Sequence, residues 1–315
     1  MGRNDLVSVI LPAYNAEPYI EQAISSVLQQ TYPNFELIVV YDRSKDRTLE
    51  VIESFSDPRL RILKQDTNRG PGVARNAALD VARGKWVTFI DADDAWLPER
   101  LEALVPLAEE AGSSFFLADD LLLCFDTPSG LRPWKSQFKE YGIEFDGLTY
   151  DMDLVHFFGI GCPVIKPLIP LEHVRSLSIR FSDSRYGEDL EFWCDLFRTG
   201  LRLRLVRKAF YLYRLTPNSL TSNVNNIKDF FEVYKRLLAR DGFTEEERNL
   251  FRKNLRITTY KYKYASFTAC IKRKDLIGAK QHVSRQPSLL LQLCMNFPKS
   301  FRYRLSAMFY KGRIK

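Results

Sequence analysis

VSVILPAY, residues 7–14, is a short apolar run that ends in a proline-containing turn, and three similar runs follow it: FELIVVY at 35–41, LRIL at 60–63 and WVTFI at 86–90. Short runs that are apolar throughout are typical of strands buried on both faces of a sheet. The segments between them have helical periodicity. This alternation predicts an open, mainly parallel α/β sheet flanked by helices.

The composition is that of a globular protein: 315 residues, of which 45% are hydrophobic and 27% charged. It excludes a mainly disordered, collagen-like or coiled-coil chain. The five cysteines are far apart and include no Cys-x-x-Cys pair, so we expect a reducing cytoplasm and neither a disulfide framework nor a zinc site. Pro12 and Asn15 interrupt the first apolar run, so a signal peptide is not expected.

The charge is unevenly distributed along the chain. Residues 252–315 contain 16 Lys and Arg residues and one acid, a net charge of +15, whereas the rest of the chain carries −8. Aromatic residues alternate with these cations, and the longest uncharged run, Ser288 to Pro298, is too short to span a bilayer. The pattern predicts helices that lie on an anionic membrane surface. The alternative is a solvated helical bundle that covers the sheet. No nucleic-acid-binding module is recognisable, and no nucleic-acid partner is expected.

Polar residues follow each predicted strand, at the sheet edge where open parallel sheets bind ligands. Asp91-Ala92-Asp93 with Asp94 follows the fourth strand, and hard oxygen ligands of this kind suit Mg²⁺ or Mn²⁺. The alternative is that these acids merely cap the next helix. Asp42 follows the second strand and is either an acceptor for a nucleobase or ribose group or the side chain of an Asx-turn.

Three further positions outside these strand ends are candidates for the chemistry. Arg75 lies one turn into the helix that Gly70-Pro71-Gly72 opens, where it either binds a diphosphate or is a solvated arginine. Glu188-Asp189 opens another helix, and Asp189 is either a general base or a helix cap. Arg214 is either a phosphate contact or a solvated strand end. Residues 119–185, which are rich in proline, are predicted to be an irregular surface excursion with binding loops.

Five blocks occur together in one order: VSVILPAYNAEPYIEQAISSVLQQTYPNFELIVV, YDRSKDRT, NRGPGVARNAAL, WVTFIDADDAWLPERL and GEDLEFW. In this combination the chain resembles the inverting, non-processive family 2 glycosyltransferases of bacterial exopolysaccharide and lipopolysaccharide synthesis, strongly over residues 6–120 and moderately over 155–222. The resemblance implies the GT-A fold and transfer of a sugar from a nucleotide-sugar, usually a UDP-sugar, to a hydroxyl of a glycan or lipid-linked acceptor.

The resemblance also implies roles for ten residues. Asp189 is the expected catalytic base, with Glu188 as the next candidate, and Asp93 with Asp91 is expected to hold Mn²⁺ or Mg²⁺. The expected nucleotide-sugar contacts are Pro12, Ala13, Tyr14, Asp42, Arg75, Asp91 and Ala92.

Two positions depart from the family pattern. Tyr41 replaces an acid that often precedes Asp42, and Thr216 stands where many members have a histidine that could join the metal site. The first departure leaves Asp42 in place, and the second leaves more of the metal's coordination to phosphate and water.

The resemblance suggests a division of the chain. Residues 1–225 form the glycosyltransferase domain, with a nucleotide-binding half at 1–118 and an acceptor-binding half at 119–225, and residues 226–315 form the basic helical region. The expected location is peripheral, at the inner face of the plasma membrane. Two other functions compete: an inactive nucleotide- or glycan-binding relative, and an Asp-x-Asp phosphatase, which would have Thr or Val at the position of Ala95.

Overall fold

The structure is a computed structural model, and it describes residues 5–128, 130–184, 186–216, 227–273 and 275–288. Its strands are β1 (Val7–Ala13), β2 (Phe35–Tyr41), β3 (Leu60–Lys64), β4 (Trp86–Phe89), β5 (Ala95–Trp96), β6 (Phe115–Thr127), β7 (Gly130–Ser136), β8 (Thr149–Met152), β9 (Ile169–Pro170) and β10 (Arg202–Arg214). Its α-helices are α1 (Ile20–Leu28), α2 (Thr48–Glu53), α3 (Pro71–Val81), α4 (Arg100–Ala111), α5 (Gln137–Tyr141), α6 (Leu154–Gly159), α7 (Leu171–Ser176), α8 (Glu188–Arg198), α9 (Ile227–Ala239), α10 (Glu245–Lys272) and α11 (Leu276–Arg285).

The first sheet has the strand order β3-β2-β1-β4-β9. β1 runs parallel to β2 and β4, and β2 runs parallel to β3, with Val7 opposite Phe35 at the start of the central pair. Only β9, at one edge, is antiparallel among the strands of this sheet that the structure describes. Every residue of β2 is buried, because helices cover both faces of the sheet. The predicted parallel α/β sheet is confirmed.

A second sheet contradicts the prediction that residues 119–185 are an irregular excursion. β6 is a 13-residue strand in the order β5-β10-β6-β7, and β8 pairs with β10. The sequence analysis missed β6 because the strand contains two consecutive acids, and buried carboxylates are not expected in a core strand. Asp119 forms a fully buried ion pair with Arg100 at 2.9 Å, and Asp120 accepts a hydrogen bond from the Phe138 amide at 2.9 Å. Both charges are thus satisfied inside the protein.

The helices α9 and α10 pack against the glycosyltransferase-like core. Val233, Tyr234 and Phe251 belong to the same hydrophobic cluster as the residues of α3 and α8. Arg236 of α9 forms an ion pair with the buried Glu191 of α8 at 2.9 Å. The predicted boundary near residue 225 lies outside the described residues. The helices that follow it share the hydrophobic cluster of the core.

The long helix α10 begins where the sequence predicts. The Thr244 hydroxyl accepts a hydrogen bond from the Glu247 amide at 3.2 Å, and the Glu247 carboxylate accepts one from the Thr244 amide at 2.7 Å. This capping box satisfies backbone donors that the first helical turn would otherwise leave unpaired. Farther along, Phe267 and Ala279 form a small separate cluster between α10 and α11.

Residues 289–315, which include all but the first residue of the apolar run at 288–298 and the last part of the basic tail, lie outside the described residues. Within the described ranges, no helix combines the length and the apolar character that crossing a bilayer requires.

Candidate active site

A cleft of about 930 Å³ opens at the carboxyl ends of the parallel strands. All ten residues that the sequence marked for function line it: Pro12, Ala13, Tyr14, Asp42, Arg75, Asp91, Ala92, Asp93, Glu188 and Asp189. They come from segments as far apart as β1 and α8, and the sheet brings them together because parallel strands end at one edge. Their individual roles remain predictions.

At one end of the cleft, Asp42 fixes the loop that leads into α3. Its carboxylate accepts hydrogen bonds from the backbone amides of Arg69 and Gly70, each at 2.9 Å. Tyr41, which stands where relatives often have an acid, is buried and donates its hydroxyl to the carbonyl of Ser44 at 3.1 Å. The side chain of Tyr41 is therefore packed inside the protein, and Asp42 still lines the cleft.

Arg75 lies at the centre of the site and is almost completely buried. Its Nη1 donates to Glu188 at 2.7 Å and to Asp189 at 2.9 Å, and its Nη2 donates to Asp91 at 2.9 Å. This burial contradicts the solvated-arginine alternative, whereas the expected diphosphate contact stays a prediction. Arg75 joins the acids that follow β4 to the acids that open α8.

A second buried cation, Lys166, was missed in the sequence. Its ammonium nitrogen lies 2.5 Å from one oxygen of Asp91 and 3.7 Å from one oxygen of Asp189. The available signal was its surroundings, since CPVIKPLIPL is an apolar run with one charge, and a charge buried in such a run needs a partner. Lys166 and Arg75 together place two cations among the carboxylates of the cleft.

These contacts set the pKa values of the acids in the cleft. Burial alone would raise the pKa of Asp91, but Lys166 and Arg75 outweigh it and hold the pKa well below its usual range. For Glu188, burial and the neighbouring charge of Asp189 raise the pKa to about 7. For Asp93, burial and the charge of Asp91 raise the pKa to about 6. Asp91 is therefore ionised, whereas burial and the charge of Asp189 disfavour the ionised form of Glu188.

The loop that carries Asp91 and Asp93 is held by the end of β10. Asp94 accepts hydrogen bonds from the Tyr211 hydroxyl at 2.7 Å and from the Arg214 amide at 2.8 Å. The Arg214 side chain donates to the carbonyl of Asp93 at 2.5 Å and forms an ion pair with Asp126. Arg214 is buried, so the interpretation as a solvated strand end was wrong, and the phosphate contact stays a prediction.

The residues of the cleft fit a divalent cation that the protein shares with its substrate. Across the described ranges, no three His, Cys, Asp or Glu side chains are grouped as a complete metal site. Both oxygens of Asp91 face cations, whereas none of the ion pairs among the described residues involves Asp93. A lone carboxylate whose pKa is raised by burial and by a neighbouring acid suits Mg²⁺ or Mn²⁺, which are bound by one or two carboxylates together with substrate phosphates.

Asp189 is the acid best placed to reach a substrate. Gly187, not Asp189, is the N-cap of α8, so the capping alternative is wrong. The side chain of Asp189 is 30% exposed, whereas that of Glu188 is 8% exposed. One oxygen of Asp189 is held by Arg75 at 2.9 Å, which fixes the orientation of the carboxylate.

The fold and the cleft define a class: a GT-A-type glycosyltransferase. In a comparison with solved structures, residues 1–349 of TarS from S. aureus in complex with UDP-GlcNAc match with a TM-score of 0.65 at 22% identity, covering 90% of this chain and 80% of that one. A mannosyltransferase from Pyrobaculum calidifontis, in complex with GDP-Man and Mn²⁺, matches with a TM-score of 0.61 at 17% identity, covering 96% and 84%. At these identities the likeness shows the fold.

Sequence relatives identify the family. The profile of glycosyl transferase family 2 matches residues 8–155. The UDP-Glc:alpha-D-GlcNAc-diphosphoundecaprenol beta-1,3-glucosyltransferase WfgD of Escherichia coli is 32% identical over 222 residues, which are 69% of this chain and 80% of WfgD. The chain belongs to glycosyltransferase family 2, and the expected family and fold are confirmed.

Proposed function

We propose that this enzyme transfers a sugar from a UDP-sugar to a hydroxyl of a lipid-linked saccharide during cell-surface polysaccharide synthesis, with inversion at the anomeric carbon. The observation that carries the proposal is the geometry of one cleft. Asp189, partly exposed and oriented by Arg75, lines the same cavity as Asp93 and Asp42. The acceptor chemistry is supported by WfgD, whose acceptor is a saccharide on diphosphoundecaprenol.

The reaction is a single displacement. The acceptor oxygen forms a bond to the anomeric carbon while the bond from that carbon to the diphosphate oxygen breaks, and Asp189 takes the proton of the acceptor hydroxyl on a carboxylate oxygen. Asp93 would hold Mn²⁺ or Mg²⁺, which supplies Lewis-acid stabilisation of the charge on the leaving nucleoside diphosphate. Arg75 and Lys166 keep Asp91 and Asp189 in fixed positions, so little reorganisation is needed when the reaction occurs.

Metal-dependent donor binding tests this function. By calorimetry, UDP is expected to bind more tightly with Mn²⁺ than with EDTA, and Asp93→Ala is expected to abolish most of that difference. Asp66→Ala is the matched control, since Asp66 also follows a strand but is exposed and outside the cleft. UDP binding that is indifferent to EDTA and to Asp93→Ala would refute the metal assignment. The inactive-relative alternative predicts the same binding but no sugar transfer.

We also propose that the basic C-terminal region holds the enzyme peripherally on the inner face of the plasma membrane. The support is the charge of +15 over residues 252–315, because each cation near an anionic surface contributes up to about 1 kcal/mol. The enzyme is expected to co-sediment with vesicles that contain phosphatidylglycerol, and less so as salt rises. Removal of residues from about 275 onward is expected to abolish this. Equal recovery in the supernatant with anionic and neutral vesicles at low salt would rule the proposal out.

A further inference from the structure

One wall of the cleft comes from the C-terminal helices, which the sequence did not connect with the chemistry. Asn254, Ile257, Thr258 and Lys261 of α10 line the cleft together with Phe230 and Tyr234 of α9. The four α10 positions have the spacing i, i+3, i+4 and i+7, which places them on one face of the helix. We call these six residues the α10 wall.

The α10 wall is packed against the start of α8, where the proposed base lies. Gly187 has φ +82°, and a Cβ atom there would lie 3.2 Å from Val233 and 3.3 Å from the Phe230 ring. Tyr186 meets Phe230 edge-on, with ring centroids 5.0 Å apart. Since Gly187 is two residues before Asp189, this close approach places the wall beside the proposed base.

The wall combines apolar and aromatic side chains with two uncharged polar side chains, Asn254 and Thr258, and one cation. Ile257 is 41% exposed although it lines a cleft, and the ring of Phe230 stacks on that of the buried Tyr234 with centroids 6.2 Å apart. Lys261 is exposed, and within the described part of the chain it forms no ion pair with an acid. An exposed isoleucine beside an unengaged ammonium fits a ligand that has a hydrocarbon portion next to an anion.

The size of the cleft leaves space for such a ligand. Its volume of about 930 Å³ is near the upper end of the range of about 300–1,000 Å³ for small-molecule sites. The donor contacts proposed above occupy the strand ends, on the side of β1, β2 and β4. The α10 wall is among the parts of the lining that they leave uncovered.

We propose that the α10 wall is the binding site for the lipid-diphosphate portion of the acceptor. Lys261 forms an ion pair with the acceptor's diphosphate, and Ile257 contacts the adjoining hydrocarbon chain. This inference rests on the proposed function, because it assigns the acceptor of the same reaction. Continuity with the basic region supports it, since α10 itself carries the first of the 16 cations proposed to face the membrane in which a lipid-linked acceptor lies.

Binding of a short prenyl diphosphate tests the inference. The probes are farnesyl diphosphate, farnesol and inorganic diphosphate, each titrated into the full-length enzyme with the donor site saturated by UDP and Mn²⁺. Farnesyl diphosphate is expected to bind more tightly than either partial probe. Lys261→Met removes the charge but keeps the stem, and is expected to weaken farnesyl diphosphate about tenfold, as the loss of a charge-assisted contact does. Ile257→Asn is expected to weaken it by severalfold.

Lys263→Met is the matched control, because Lys263 is exposed on the same helix but does not line the cleft. It should leave binding of farnesyl diphosphate unchanged. The proposal is overturned if wild-type enzyme binds farnesyl diphosphate no better than inorganic diphosphate, or if Lys263→Met weakens it as much as Lys261→Met. UDP binding, measured in the same samples, separates the donor-site hypothesis from the α10-wall hypothesis. Wild-type enzyme that does not bind UDP would refute the donor site and not the wall.

Discussion

Replacing Asp189 with asparagine is expected to reduce sugar transfer by at least about a hundredfold while UDP binding changes little. Asparagine has the same size, and its side-chain oxygen can still accept the hydrogen bond that Arg75 donates to Asp189 at 2.9 Å. The change therefore removes the proton acceptor and leaves the geometry. Single-turnover transfer assays with calorimetry of UDP on the same preparation separate the two effects.

Two further variants make this result decisive. Glu188→Gln tests the neighbouring acid, whose buried position and raised pKa make it a poor partner for a substrate hydroxyl. It is expected to lower transfer much less than Asp189→Asn does. Asp183→Asn, an exposed position shortly before α8, should behave as wild type. A folded Asp189→Asn enzyme with near-normal transfer, together with an inactive Glu188→Gln enzyme, would move the role of base to Glu188.

Replacing Arg75 with methionine is expected to lower the free energy of unfolding by about 3–5 kcal/mol, because breaking a buried ion pair leaves uncompensated charges behind. Arg75 contacts three carboxylates, and its side chain is 5% exposed. Lys166 can still compensate Asp91 and Asp189, but Glu188 has no other cation among its described ion pairs. Urea denaturation at neutral pH measures the loss.

The double variant Arg75→Met with Glu188→Gln guards against the chance that the single variant does not fold. It removes one of the stranded charges, so it is expected to recover part of the lost stability. Arg69→Met, a change to an exposed side chain on the neighbouring loop, should cost little. Equal stability of wild type and Arg75→Met would show that the carboxylates are solvated in solution.

The sequence was sufficient to predict the first sheet and the composition of the cleft. The runs at β1 and β2 are apolar except for Ser8 and Glu36, because both faces of those strands are covered. Residues at the carboxyl ends of these parallel strands lie at the same edge of the sheet. Asp91 and Asp93 could thus be assigned to this edge, whereas Glu188 and Asp189, about a hundred residues later, were assigned to the same site through the family resemblance.

The sequence did not reveal the ion pairs between buried residues that lie far apart in the chain. β6 was missed because Asp119 and Asp120 interrupt its apolar run, and their partners Arg100 and Ser136 lie in other elements. Lys166 was missed for the same reason, since its partner Asp91 is 75 positions away. A buried ion pair can be recognised only when the positions of both partners in the fold are known. Neither hydrophobic periodicity nor motif spacing predicts which two residues will pair.

The anchoring of the Asp91–Asp94 loop by β10 has a consequence for how the protein is made. The ribosome releases the acids of this loop about 120 residues before Tyr211 and Arg214, which hold Asp94. Glu188 and Asp189, the partners of Arg75, also emerge late. During synthesis, therefore, the nascent N-terminal half carries most of the family signature but an unfinished donor site. The cleft is therefore complete only after β10, and then α9 and α10, have left the exit tunnel.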